Sequence, residues 1–153
     1  MKRVYLYADG GCRGNPGIGG WGTILSYTDS KNLVHTKEIK GCNENTTNNQ
    51  MELTAIIEGL KLLKEKCYIT IVTDSSYVVD SINKHWIDSW IRKGWKKADG
   101  KPVKNIELWK ELLRLLEGHN VTFTWIKGHN GHEFNERCDK LANLAMDSLE
   151  EKL

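Results

Sequence analysis

The chain has no long apolar run. None of its 153 residues lies in a stretch approaching the roughly 18 apolar residues that span a bilayer. The N-terminal residues also lack the apolar segment of about 7 or more residues and the small-residue cleavage site of a signal peptide. We therefore expect a cytoplasmic protein that does not enter membranes.

None of the four cysteines belongs to a C-x-x-C pair, so the usual sequence signals of zinc sites and redox motifs are missing. In a reducing compartment we expect Cys12, Cys42, Cys67 and Cys138 to be free thiols that fill apolar space. The sequence also contains no internal repeat, low-complexity segment or linker. Its length suits one domain, and we predict a single domain over residues 1–153.

The positive charge is unevenly distributed. The whole chain carries a net charge of only +2, whereas residues 84–104 contain seven Lys or Arg and two Asp, a net charge of +5. Three of the six tryptophans, Trp86, Trp90 and Trp95, also lie in this segment. A charged run is often only a solvated face, but lysines interleaved with aromatic residues are typical of a nucleic-acid-binding surface.

Hydrophobic periodicity predicts a mixed arrangement of strands and helices. Alternation of apolar and polar residues predicts strands at 3–8, 21–26, 35–41, 69–73 and 121–125. Helical spacing predicts helices at 48–66, after Ser75 or Ser76, in pieces around Gly94, at 105–117 and at 134–149. Three early strands followed by alternating strands and helices predict an α/β protein with a mixed sheet.

The residues that follow the first predicted strand have few side chains. After Asp9, the eleven residues GGCRGNPGIGG include six glycines and a proline. We predict that the strand ends at Asp9 and continues as a loop. The glycines would permit tight turns, allow the backbone to approach a ligand closely, or do both.

Four acids lie at the ends or apolar edges of predicted elements. Each has an ordinary explanation when taken alone: Asp9 in a turn, Asp74 as a helix cap, and Glu52 and Asp139 at solvated helix edges. Together they indicate a cluster, in which carboxylates raise one another's pKa unless a cation neutralises them. Oxygen ligands without a nearby Cys or His set suit Mg²⁺ or Mn²⁺.

Four motifs occur in series along the chain: YADGGCRGNPGIGGWG, TTNNQMELTAIIEGL, IVTDSSYVVDSI and WIKGHNGHEFNERCDKLAN. The series resembles type 1 ribonuclease H of the bacterial kind, and the resemblance covers essentially the whole chain. It implies a five-stranded mixed sheet, three antiparallel strands and then two parallel ones, flanked by helices. It also implies an endonuclease that hydrolyses the RNA strand of RNA–DNA hybrids and leaves 5′-phosphate and 3′-hydroxyl ends.

The resemblance implies which residues are catalytic. Each motif supplies one acid, and the four acids would bind two Mg²⁺ ions, with Mn²⁺ as a substitute; they are Asp9, Glu52, Asp74 and Asp139. One ion would activate the attacking water, and the other would stabilise the leaving 3′ oxygen. His129 matches a loop histidine that assists proton transfer or product departure. His132 is interpreted as structural, and Glu136 matches an acid near the second metal.

The resemblance also implies substrate contacts by short polar side chains, which approach sugars and phosphates without reading base identity. The residues matching contacts to the hybrid backbone are Cys12, Asn15, Asn48, Asn49 and Ser75. Thr47, together with Asn15, matches a pocket for a phosphate of the DNA strand.

Residues 84–104 match a basic protrusion, which we call the handle. Its proposed substrate contacts are Trp86, Lys96, Lys97 and Lys104, the lysines through phosphate attraction. Trp90 and Trp95 are instead expected to pack internally and build the handle.

Two positions depart from the family pattern. Ser76 stands where bacterial relatives commonly have Gln, and Glu133-Phe134 replaces a common Pro-Glu after the histidine loop. Two other functions remain as alternatives: a non-catalytic hybrid-binding module, against which the retention of all four acids argues, and another nuclease of the same fold. We expect a monomer.

Overall fold

The structure is a computed structural model that describes residues 1–128 and 131–153. The strands are β1 (Lys2–Arg13), β2 (Gly17–Thr28), β3 (Val34–Thr46), β4 (Cys67–Thr73) and β5 (Asn120–Trp125). The helices are α1 (Asn48–Leu60), α2 (Ser76–Asn83), α3 (Trp86–Arg92), α4 (Ile106–Leu116) and α5 (Glu133–Lys152). Across the described ranges, no helix is both long and apolar enough to span a bilayer.

The strands form one five-stranded sheet in the order β3-β2-β1-β4-β5. The first three strands pair antiparallel, whereas β4 and β5 join β1 in parallel. The predicted α/β fold, with three antiparallel strands followed by two parallel ones, is therefore confirmed.

Apolar side chains on alternate strand positions separate into two clusters. The larger cluster joins Leu6 of β1 and Ile71 of β4 to α1 and α4, and it contains the fully buried Trp109. Ile24 of β2 packs with Cys138 and other residues of α5 in a smaller cluster. Because successive strand residues point to opposite faces, helices cover the sheet on both sides.

The glycine-rich stretch is strand rather than loop, so the prediction that β1 ends at Asp9 was wrong. Residues 9–13 remain paired with β2, and a tight turn at residues 14–16 joins the two strands. Gly14 has a φ of +89°, which a glycine adopts without steric cost. Asp9 therefore lies in the interior of β1.

The first helix ends earlier than predicted, at Leu60 instead of residue 66. Beyond it, Leu62 and Leu63 donate to the carbonyls of Gly59 and Leu60, three residues back, as a tightened helix end does. Leu63 still packs against the core. The apolar pattern therefore continues beyond the end of the helix, because residues after Leu60 are also partly buried, and the pattern alone predicted too long a helix.

The handle contains one helix, α3, and not helical pieces on both sides of Gly94. After Gly94 the chain forms a short antiparallel loop, in which Val103 donates to the carbonyl of Trp95 and Lys96 bridges to Pro102. Trp90 packs against Trp109 with ring centroids 6.0 Å apart. The partly buried Trp95 also packs against the core, so the expectation of internal packing for both tryptophans is confirmed.

Candidate metal centre and nucleic-acid interface

Two parallel strands place the first pair of acids side by side. The β1–β4 register pairs Tyr7 with Val72, and continuing it by two residues aligns Asp9 with Asp74. Asp74 directly follows the last residue of β4. Because the pairing of β1 with β4 ends at Tyr7 and Val72, both acids lie where the two strands separate.

Close approach of α1 to β1 brings Glu52 to these acids. A Cβ on Gly10 would lie 2.4 Å from the carbonyl carbon of Met51, so only glycine permits this spacing. The Gly10 backbone also hydrogen-bonds to the Glu52 carboxyl group, whose residue is only 7% exposed. The glycine next to Asp9 therefore serves the packing of α1.

Glycines of β2 allow the backbone of α5 to approach the sheet closely, as Gly10 does for α1. A Cβ on Gly22 would lie 2.4 Å from the Cys138 carbonyl oxygen, and one on Gly20 would lie 2.5 Å from that of Ala142. Gly22 pairs with Asp9 in the sheet. The residue after Cys138 on α5, Asp139, is thereby held beside the pocket that Asp9 lines.

The electrostatics of the cluster are unfavourable without a cation. Ligand oxygens of Asp9, Glu52 and Asp74 all lie within 4.8 Å of one another. Burial, with the charges of Asp74 and Asp139, raises the pKa of Asp9 to about 8. Burial and the charges of Asp9 and Asp74 likewise raise the pKa of Glu52 well above its usual value.

The ordinary explanations of the single acids do not hold for three of them. Asp9 is buried within a strand and does not form a turn, and Glu52 is not a solvated helix edge. Ser75, not Asp74, caps α2 by accepting a hydrogen bond from the Val78 N–H at 3.2 Å.

The residues present fit a divalent cation. Their donor atoms are carboxylate oxygens, which hard cations prefer, and a cation would offset the mutual repulsion of the carboxylates. The cluster therefore has the donor set of a site for a divalent metal ion.

A pocket of about 550 Å³ surrounds the acids and brings in four of the predicted substrate-binding residues, which are Cys12, Asn48, Asn49 and Ser75. The Asn48 side-chain oxygen accepts from the Cys12 N–H at 2.8 Å and from its thiol at 3.3 Å. These contacts tie the first turn of α1 to β1 beside the acids.

A second pocket, of about 570 Å³, adjoins the first through Asn48 and Asn49. It is lined by Asn15, Thr47 and the exposed Lys104. The Asn15 side-chain oxygen accepts from the Asn48 N–H at 3.2 Å. Thr47 is the N-cap of α1 and forms a capping box with Gln50, so its hydroxyl also has a structural role.

The handle exposes the remaining predicted contacts. Trp86 is 41% exposed, and the Lys84 ammonium lies 5.8 Å from its ring centroid. Lys96 and Lys97 are exposed on the loop after Gly94.

His129 lies outside the described residues, so its role stays a prediction. His132 precedes α5 without making a side-chain cap, and Glu136 is exposed in the first turn of that helix. Ser76, which departs from the family pattern, lines the acidic pocket.

Sequence reasoning missed two residues at the site. Arg13 lines the acidic pocket and is held by Asp147 at 2.7 Å and Glu150 at 2.9 Å, both on α5. Trp125 donates its indole N–H to the Asp74 carbonyl oxygen at 3.0 Å. Both residues lie within the motif series, but the sequence does not show their contacts, because each partner is distant along the chain.

Comparison with known proteins agrees with this geometry. Residues 1–147 match the RNase H family. The chain is 54% identical over 146 residues to Ribonuclease H of Lachnoclostridium phytofermentans, an alignment that covers 95% of this chain and 92% of that protein.

Two solved structures share the fold. LC9-RNase H1, described as a type 1 RNase H with the type 2 active-site motif, superposes with a TM-score of 0.87 at 31% identity, covering 97% of this chain and 74% of that one. LC11-RNase H1 in complex with RNA/DNA hybrid gives a TM-score of 0.66 at 26% identity, covering 95% and 98%.

Proposed function

This chain belongs to the RNase H family, and on that premise we propose that it is an endoribonuclease that hydrolyses the RNA strand of RNA–DNA hybrids. The products are a 5′-phosphate and a 3′-hydroxyl end. The observation that carries the proposal is the convergence of three buried or half-buried carboxyl groups within 4.8 Å, at a pocket of about 550 Å³.

The four acids hold the metal in this proposal. Asp9, Glu52 and Asp74 supply the converging oxygens, and Asp139 completes the set from α5. Two Mg²⁺ ions, or Mn²⁺ in their place, would supply Lewis-acid stabilisation and an activated water. His129 assists proton transfer or product departure.

The polar residues around the acids position the substrate. Cys12, Asn48, Asn49 and Ser75 line the pocket. Contacts from these polar residues to RNA 2′-hydroxyls would distinguish RNA from DNA. Asn15, Thr47 and Lys104 line a separate pocket whose ammonium and hydroxyl groups suit a phosphate of the DNA strand.

The whole chain acts as a single catalytic domain, with the handle at residues 84–104 as its binding extension. Exposed lysines there attract phosphates irrespective of sequence, and the exposed Trp86 offers an apolar face to a sugar or base. We further propose a cytoplasmic monomer.

The test compares three duplexes of identical sequence, hybrid, double-stranded RNA and double-stranded DNA, at one salt concentration with Mg²⁺. We expect cleavage of the RNA strand of the hybrid alone, and its loss when a chelator is added. The D74N variant is the matched negative control, because it keeps the shape of the side chain and removes a metal ligand.

Three results would contradict the proposal. Cleavage that persists in chelator would contradict metal use, and equal cutting of double-stranded RNA would contradict recognition of two different strands. Hybrid binding without any cleavage would instead favour a non-catalytic binding module.

A further inference from the structure

Thr73 is a buried hydroxyl between two of the acids. It is the last residue of β4, directly before Asp74, and it is 0% exposed. A buried hydroxyl requires hydrogen-bond partners, and those of Thr73 identify what it does.

The hydroxyl has one partner on each side. It donates to Glu52 Oε2 at 3.4 Å. It accepts from the Ser75 N–H at 3.1 Å. One side chain thus connects a carboxylate on α1 to the backbone on the far side of Asp74.

The backbone around Asp74 is held on three sides. The Thr73 hydroxyl closes the turn through the Ser75 N–H, the Thr73 carbonyl accepts from the Ile126 N–H at 3.0 Å, and the Asp74 carbonyl accepts from the Trp125 indole at 3.0 Å. Only the Thr73 hydroxyl contact also reaches a second acid.

We propose that Thr73 is a positioning residue that couples Glu52 and Asp74, fixing both for metal binding. By donating to Oε2, it holds the Glu52 carboxylate in one orientation. By closing the turn, it fixes the direction in which the Asp74 side chain leaves β4. The inference rests on the proposed function, since it assigns Thr73 to the metal site of that function.

The chain contains a matched control. Thr23 is also 0% exposed, and its hydroxyl donates to the Ala55 carbonyl oxygen at 2.6 Å. That contact joins β2 to α1 and involves none of the acids. Valine has nearly the same size as threonine but lacks the hydroxyl. Either substitution therefore removes one buried hydrogen bond, and both variants should have a lower melting temperature than the wild type.

The experiment measures Mn²⁺ binding by calorimetry without nucleic acid, for wild type, T73V, T73S and T23V. Contacts behind metal ligands typically contribute about 10- to 100-fold in affinity, so T73V should bind Mn²⁺ more weakly by about that factor. T73S restores the hydroxyl and should restore binding, whereas T23V should bind as wild type does. The KM of T73V for the hybrid should stay unchanged, whereas the Mn²⁺ concentration that gives half-maximal cleavage should rise.

Each outcome decides between the possibilities. Wild-type Mn²⁺ affinity in T73V, or equal weakening in T23V, would overturn the positioning role while leaving the proposed function intact. No Mn²⁺ binding by the wild type would overturn both. If T73V does not fold, T73C replaces it, because a thiol fills similar space and donates only weakly.

Discussion

Replacing Asp9 by Asn should stabilise the metal-free protein while abolishing cleavage. The folded protein raises the pKa of Asp9 from 3.8 to about 8, so near pH 7 the folded state retains a proton that the unfolded chain releases. The interval between a pKa of 3.8 and pH 7 is about 3 pH units, and each unit lowers the free energy of unfolding of the wild type by 1.36 kcal/mol. At pH 7 the wild type is therefore less stable than at low pH by about 4 kcal/mol from this source. Asn carries no such proton and avoids that cost.

The sign of the pH dependence follows from the raised pKa. Below pH 3.8, Asp9 is protonated in both states and the variant gains nothing from this source. Between 3.8 and about 8 the wild type loses stability as pH rises, so the advantage of D9N should grow over this window and then level off.

Urea unfolding of chelator-treated wild type and D9N, from pH 4 to 9, measures this difference. The E151Q variant, which changes an exposed acid on α5, is the control and should show little change. A D9N protein that is equally or less stable at pH 8 would refute the account of an uncompensated acidic cluster. Cleavage within a few-fold of wild type would refute Asp9 as a metal ligand.

Three further predictions concern packing, substrate binding and pH. G10A should lower both the melting temperature and the Mn²⁺ affinity, because its Cβ would lie 2.4 Å from the Met51 backbone and displace α1. Thermal unfolding and calorimetry measure the two effects, and a G10A protein that binds Mn²⁺ as tightly as the wild type would contradict the prediction. Changing the handle lysines Lys96, Lys97 and Lys104 to alanine should raise KM for the hybrid and leave kcat nearly unchanged. It should also flatten the slope of log K for hybrid binding against log salt concentration by about one per lysine. A fall in kcat alone would contradict the binding role. Burial and the charge of Lys66 lower the pKa of His119, whose neutral ring accepts a hydrogen bond from the Cys67 N–H at 3.0 Å. The melting temperature of the wild type should therefore fall as the pH drops below about 6.5, and that of H119A should fall less. Equal pH dependence of the two proteins would count against the contact.

Much of the site could be predicted from the chain alone because its chemistry is carried by residue type. Four acids at the edges of apolar elements indicated a cluster, and three of them converge within 4.8 Å. Likewise, apolar alternation predicted the strands, because the side-chain period of a strand is a local property, and the order of strands and helices along the chain predicted a mixed sheet.

The glycine-rich stretch shows where local patterns fail. A run with six glycines among eleven residues has no apolar alternation, so it was predicted as a loop. Its strand conformation depends on pairing with β2, and its glycines are required by helices that are distant in sequence: Gly10 by α1, and Gly20 and Gly22 by α5.

The sequence by itself determined the family, through the resemblance carried by four motifs in series, the type of sheet, through the order of strands and helices, and the identity of the acids, through residue type. Only the tertiary structure decided how close the acids lie, that Asp9 sits within a strand, and that Thr73 connects Glu52 to the turn at Asp74. Distances and hydrogen bonds between separate elements depend on how closely backbones pack, and no local pattern encodes that spacing.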